Sequence, residues 1–462
     1  MSSQNKELAA INKTEAGIYA EACNYLPGGV SRNVLYRKPH AYYVSKAQGC
    51  YVTDINGVTR IDFANNIASL IHGHAHPAII EAVTEQLHRG TAYTIGTEIE
   101  MEYARLLCNR VPGFDKLRFV NSGTEAVMAM IKAARAYTGK PKIAKAEGGY
   151  HGSYDFAEVS QSASPNTWGE FEQPSSVPHA KGTPQSVLDE VVIIPFNHVE
   201  ETLRILDKHA GQLACVLIDP VPHRIGNAPA TPEFIQAVYD WTRKNNALLC
   251  YDEVICFRVN YEGAQADYPV KPDMTALGKI IGGGFPIGAF AGSNEVMNIL
   301  DPGGSNYRFP LSGTFSANAI SMTAGKVAME LFDRGAVEKL NQLTQIAAMQ
   351  VAEAGKIADI PLSITGRGSM FRLHFREKAP VSYRDAFDDE KMRKVIAQFL
   401  DHLYQKGIMV INSCTSVVST AITQKEVDML SDAMLSAFRH IKPLLRAEDS
   451  QAEPAADARN RW

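Results

Sequence analysis

Asp252, Glu253 and Lys279 are the residues whose types and setting could do chemistry. Ala247-Leu-Leu-Cys-Tyr251 is a short apolar run that ends in the two carboxylates. Such a run reads as a buried parallel strand, and open α/β sheets hold ligands at the carboxyl ends of their strands. Lys279 stands in Ala276-Leu-Gly-Lys-Ile-Ile-Gly-Gly-Gly284, among small and apolar residues. A lysine in that setting loses hydration, its pKa falls toward neutrality, and its amine becomes a nucleophile. Taken singly, these residues carry little. Most Asp-Glu pairs are loop residues or helix caps, and most lysines are solvated. Together they meet the needs of pyridoxal 5'-phosphate, which takes a Schiff-base amine and a carboxylate for its ring nitrogen.

Other stretches supply the remaining parts of such a site. Leu117-Arg-Phe-Val120 reads as a strand, Asn121-Ser-Gly-Thr-Glu125 as a loop, and 126–138 as a helix. Ser122, Gly123 and Thr124 then offer hydroxyls and backbone N–H groups to an anion at a helix N-terminus. The plainer alternative is an N-cap with a first-turn glutamate. Lys142-Ile-Ala-Lys145 is a strand that leads into Glu147-Gly-Gly-Tyr-His-Gly152. Its glycines let backbone approach a flat ligand while Tyr150 stacks on it. Ala214–Ile218 is a strand that delivers a second acid, Asp219.

The elements that must position these residues follow from the wider pattern. About 65–320 alternates strands and helices, which predicts a mostly parallel sheet with helices on both faces. This is the large domain. Residues 1–64, with a helix expected within 1–24 and strands over 42–51 and 60–64, form part of a smaller domain. Residues 321–445 read as an α+β C-terminal domain, and 446–462 as a disordered tail. Residues 158–188, rich in Ser, Pro, Gly and Gln, read as an excursion over the site.

Composition narrows the class. The 462 residues suit two or three domains, with 45% hydrophobic and 21% charged residues. A net charge of −4 points to neither nucleic acid nor an anionic membrane as partner. Seven scattered cysteines, none in a CxxC pair, indicate neither a zinc site nor a disulfide framework. No stretch approaches the ~20 apolar residues of a membrane helix, and the polar start lacks a signal-type core. A cytoplasmic enzyme is expected. Ile71-His-Gly-His-Ala-His-Pro77 reads as a turn before a helix over 77–89, and no metal is expected there.

Asn121-Ser-Gly-Thr-Glu-Ala126, Gly148-Gly-Tyr-His-Gly152, Asp252-Glu-Val254, Leu277-Gly-Lys-Ile-Ile-Gly-Gly-Gly284 and Ser312-Gly-Thr-Phe315 together resemble a known family. It is the class III, fold type I aminotransferases that depend on pyridoxal phosphate. The likeness runs from about Tyr25 to Leu445. It is strongest to the branch with glutamate-1-semialdehyde 2,1-aminomutase and the β-amino-acid aminotransferases. The resemblance implies Lys279 as the Schiff-base lysine and Asp252 as partner of the ring nitrogen. Val254 and Tyr150 would cover the two ring faces, and Ser122, Gly123 and Thr124 would bind the phosphate. Thr314 would complete that site in a neighbouring subunit, which implies a homodimer. Arg32, in Ser31-Arg-Asn-Val-Leu35, matches an arginine that grips a substrate carboxylate, a task suited to its fork.

The chain also departs from the family pattern. Asp219 stands where relatives carry glutamate. Pro222-His-Arg224 replaces small residues, so His223 and Arg224 are expected to reshape the substrate pocket, with Arg224 able to grip an anion. Cys414 stands nearest the position of a substrate-contacting charge in relatives. The expected activity moves an amino group between a carboxylate-bearing amine, an amino acid or β-amino acid, and a keto acid or aldehyde. The alternatives on this scaffold are a 2,1-aminomutase and an amino-acid racemase, neither of which needs an acceptor. A catalytically inactive regulatory protein is disfavoured by the intact Lys279 and Asp252.

Overall fold

The strand Leu248–Asp252 explains the architecture around it. All five of its residues are buried, and its side chains alternate between two apolar clusters. Leu248 and Cys250 enter a cluster with helix Gly123–Thr138. Leu249 and Tyr251 enter another with helix Pro232–Lys244 and its Phe234, Ile235 and Val238. A strand apolar on both faces is stable only when helices cover both. A computed structural model describes residues 14–446, and in it this strand lies at the centre of a seven-stranded sheet.

The strand order is Lys116–Val120, Gly288–Gly292, Met274–Gly278, Leu248–Asp252, Leu213–Ile218, Lys142–Ala146, Val191–Ile194. Only Gly288–Gly292 runs against its neighbours, so the sheet is mostly parallel, as the alternation predicted. Helix Gly123–Thr138 is capped by Ser122, whose side chain accepts from the Glu125 N–H, and by left-handed Gly139. Thr231 caps Pro232–Lys244, with proline in the first turn where no intrahelical N–H is needed.

Two smaller sheets join distant parts of the chain. Val44–Gln48, Tyr51–Asp54 and Thr59–Asp62 form an antiparallel meander, to which Ile408–Met409 adds in parallel. The single strand expected over 42–51 is thus broken at Gly49-Cys50 into two that pair with each other. Ser363–Arg367, Met370–His374 and Thr415–Val417 make a three-stranded antiparallel sheet. Helix Arg334–Ala358 packs against helix Gln424–Arg446 beside it.

Other differences have local causes. Met274–Gly278 is a strand too short and glycine-ended to stand out in the pattern. The charged helix Glu98–Arg110 was not anticipated, because only Tyr103, Leu107 and Arg110 on it are buried. The expected helix within 1–24 is observed over Glu15–Ala22, while residues 1–13 and 447–462 lie outside the described residues. Two histidines of the loop before helix Pro77–Arg89 have separate partners. His72 meets Thr420 Oγ1 at 2.9 Å and the Ala328 carbonyl at 2.8 Å, and His74 meets Asp62 at 2.8 Å. Among the described residues, no helix is long and apolar enough to cross a membrane.

Candidate active site

Each predicted residue of the large sheet reaches its carboxyl edge because a strand ends there. Asp252 closes Leu248–Asp252, Asp219 follows Leu213–Ile218, and Lys279 follows Met274–Gly278. Asn121-Ser122 leads from Lys116–Val120 into the N-terminus of helix Gly123–Thr138. These ends enclose a cavity of about 590 Å³, lined among others by Ser122, Gly123, Thr124, Asp219, Asp252 and Lys279. Tyr150, Val254 and Arg32 complete its wall.

Lys279 keeps some access through the cavity, yet protein crowds its amine. Burial pulls its pKa down to about 8, helped by the charge of Arg32 and opposed by Asp252. The Nζ donates to the Ile67 carbonyl at 2.9 Å. That carbonyl belongs to a left-handed turn in which Asn65, Asn66, Ile67 and Ala68 have φ of 48°, 49°, 56° and 65°. Left-handed helical geometry costs L-residues roughly 1–2 kcal/mol each, so the turn persists only because its surroundings hold it. Asn66 Oδ1 accepts from Arg32 Nη1 at 2.8 Å.

The carboxylates divide their work by direction. Asp252 Oδ1 accepts the Val254 N–H at 3.0 Å, and Oδ2 lies 2.8 Å from His151 Nδ1. A carboxylate only accepts, so Nδ1 carries the hydrogen. Burial lowers the His151 pKa against the pull of Asp252, which keeps the imidazole neutral, and its buried Nε2 has no partner in the protein. Asp219 is pushed well above the usual carboxylate range, first by burial and then by the charge of Asp252. Glu253 points away from the cavity. Its oxygens accept the Ala264 and Gln265 N–H groups at 2.7 and 2.9 Å, and burial raises its pKa to about 8.

The family Aminotransferase class-III matches residues 33–441. The chain belongs to the class III aminotransferases. A glutamate-1-semialdehyde 2,1-aminomutase of Methanothermobacter thermautotrophicus is 36% identical over 394 residues, 85% of this chain and 90% of that protein. The crystal structure of an omega-transaminase from Sphaerobacter thermophilus superimposes with a TM-score of 0.91 at 43% identity, over 93% of this chain and 98% of that one. A beta-phenylalanine aminotransferase from Variovorax paradoxus gives a TM-score of 0.81 at 28% identity, over 95% and 97%. The fold type I assignment and the enzyme class expected from the motifs both stand.

Class III aminotransferases use pyridoxal 5'-phosphate. The cavity of this class III aminotransferase fits that group. Its walls come together where only glycine has room, since a Cβ on Gly123 would stand 2.7 Å from Val254 Cγ1. A Cβ on Gly152 would stand 2.5 Å from Thr124 Oγ1. Ser122 Oγ accepts the Glu125 N–H at 3.1 Å and retains its own hydrogen for an anion. One end therefore offers a helix N-terminus and hydroxyls to a phosphate, and the other offers the Asp252 carboxylate to a cationic ring nitrogen.

Three residues expected at the substrate are not among those that line this cavity. Cys414 is 1% exposed within the large apolar cluster and does not line the cavity. His223 and Arg224 do not line it either. The Arg224 guanidinium lies 5.1 Å from the Tyr150 ring centre, and its Nη1 donates to the Gln161 carbonyl and to Ser162 Oγ, both at 3.1 Å. His223 meets the Tyr150 ring edge-on at 5.6 Å. Both residues belong to a short turn that ends in left-handed Gly226. The 158–188 excursion likewise adds nothing to the cavity wall and instead supplies the partners of Arg224. Thr314 is exposed and outside this cavity.

His151 and Asn66 also line the cavity, and the Ile67 carbonyl meets Lys279. In the Gly148–Gly152 loop, the histidine beside Tyr150 turns to Asp252. Consecutive asparagines at 65 and 66 are the signal in the sequence for the left-handed turn.

Proposed function

We propose that this class III enzyme moves an amino group between a carboxylate-bearing amine, an amino acid or β-amino acid, and a keto acid or aldehyde. The observation that carries this is the convergence of Lys279, Asp252 and Arg32 on one cavity. When bound, pyridoxal phosphate supplies an aldehyde for the donor's amine and a ring that accepts electrons from the carbon losing its proton. Ser122, Gly123 and Thr124 would hold its phosphate, Val254 and Tyr150 its ring faces, and Asp252 its ring nitrogen, with Asp219 beside it. Lys279 would hold it covalently and then, as a free amine, take and return the proton at the substrate carbon. Its pKa of about 8 suits both directions near neutral pH. Arg32 would pair with the donor carboxylate. Thr314 is proposed to serve the site of a second subunit in a homodimer.

The test is a panel of amino donors added to the cofactor-loaded enzyme without acceptor. Conversion of the cofactor to its aminated form by an α- or β-amino acid is expected, and no conversion by any of them would refute the proposal. The aminomutase reading is favoured by the 36% identical relatives that bear that name. It predicts isomerised product from glutamate-1-semialdehyde with no acceptor present.

A further inference from the structure

Ala64-Asn-Asn-Ile-Ala68 carries four successive residues in left-handed geometry, none of them glycine. The sequence pays for this turn with contacts on every side. The Ala64 and Asn65 N–H groups donate to Asp62 Oδ1 at 2.8 and 2.9 Å. Asn65 Nδ2 donates to the Val417 carbonyl at 2.6 Å. Buried Arg258 donates to the Ala68 carbonyl at 3.1 Å, to Ser369 Oγ at 2.7 Å and to the Val418 carbonyl. The turn is therefore anchored to the strand Thr59–Asp62 and to the three-stranded C-terminal sheet.

Two neighbouring residues of this turn hold the two cations of the cavity. The Ile67 carbonyl takes Lys279 Nζ, and Asn66 Oδ1 takes Arg32 Nη1. Arg32 otherwise sits in an exposed loop with a long, rotamer-rich side chain. We propose that Asn66 is a positioning residue: its side-chain oxygen fixes the Arg32 fork at a set distance from Lys279, so that the enzyme favours donors carrying a carboxylate. Asparagine suits the place because it tolerates left-handed backbone and brings an acceptor. Ordering the arginine in advance removes part of the entropy that binding would otherwise cost, which is worth about three- to tenfold in affinity. This inference rests on the reading of Arg32 as the carboxylate-binding residue.

The test is a double-mutant cycle with Asn66→Gly, which keeps the backbone geometry and removes the amide, and Arg32→Ala. Two readouts apply: the KM ratio of a β-amino-acid donor to 1-phenylethylamine, which lacks the carboxylate, and the calorimetric Kd of unreactive 3-phenylpropionate. Asn66→Gly is expected to worsen both about three- to tenfold and to add nothing once Arg32 is gone. A glycine variant that does not fold is replaced by Asn66→Asp, which tolerates the same backbone and whose charge should compete with the donor carboxylate for Arg32, read the same way. If Arg32→Ala lowers carboxylate preference while Asn66→Gly does not, the role of Asn66 is overturned and that of Arg32 survives. If Arg32→Ala itself leaves the preference intact, both readings fall. An equal loss with both donors means that Asn66 only maintains the fold, which also overturns the proposal.

Discussion

Two lysines lie near the same edge of the large sheet, and burial acts on both. Lys145, in strand Lys142–Ala146, is fully buried, with a pKa lowered to about 7. Lys279, after Met274–Gly278, is lowered to about 8. By desolvation alone, Lys145 is the stronger candidate for a reactive amine. Its Nζ, however, is spent on the Gly149 carbonyl at 3.0 Å and the Val159 carbonyl at 2.7 Å, and it does not line the cavity. Lys279 faces the cavity shared with Asp252. A depressed pKa therefore marks burial, while access and spent hydrogen bonds decide which lysine can react.

The comparison can be broken by experiment, and the largest effect is expected at Lys279. Lys279→Ala should end covalent cofactor attachment, seen as loss of its visible absorbance, and cut amino transfer on the order of 10⁴-fold. Substantial residual turnover would instead point to another amine, with Lys145 the first suspect. Asp252→Asn keeps the shape but removes the charge that His151 orients. Steady-state kinetics should record a loss of about 10²–10³-fold with cofactor still attached.

Lys145→Met should reverse the pattern. It orphans the Gly149 and Val159 carbonyls and should cost roughly 1–3 kcal/mol in denaturant unfolding above about pH 10.5, where the amine is neutral in the folded and unfolded chains alike, while covalent attachment persists. The pH dependence gives an independent reading. Between about pH 7 and 10.5 the unfolded chain protonates Lys145 and the folded chain does not. Stability contributed by this group thus rises with pH across that window, and Lys145→Met should flatten the rise. The smallest effect concerns rate. Uptake of cofactor by the cofactor-free protein should climb with pH as Lys279 loses its proton, then level off above about 8. Arg32→Ala removes a charge that lowers this pKa and should move the plateau to higher pH.

Much of the site was legible because strand ends announce themselves. Apolar runs ending in Asp219 and Asp252, and a strand–loop–helix unit around Ser122–Thr124, are local patterns, and local patterns survive folding. Asp219 and Asp252 could be named from sequence, but not the upward shift of the Asp219 carboxyl, since that depends on its burial and on the nearness of Asp252. Cys414, His223 and Arg224 lie off the cavity wall for a related reason: the directions of their side chains are set by turns and by packing partners far off in sequence.

The sequence by itself determined which groups are available for chemistry and the strands that deliver them, because both follow from residue type and short-range periodicity. Tertiary structure alone decided which groups meet. The left-handed turn of Asn65–Ala68 is unfavourable in isolation and exists through contacts with Asp62, Val417 and Arg258. Contacts between residues hundreds of positions apart are absent from any local pattern, and here they set where Lys279 and Arg32 point.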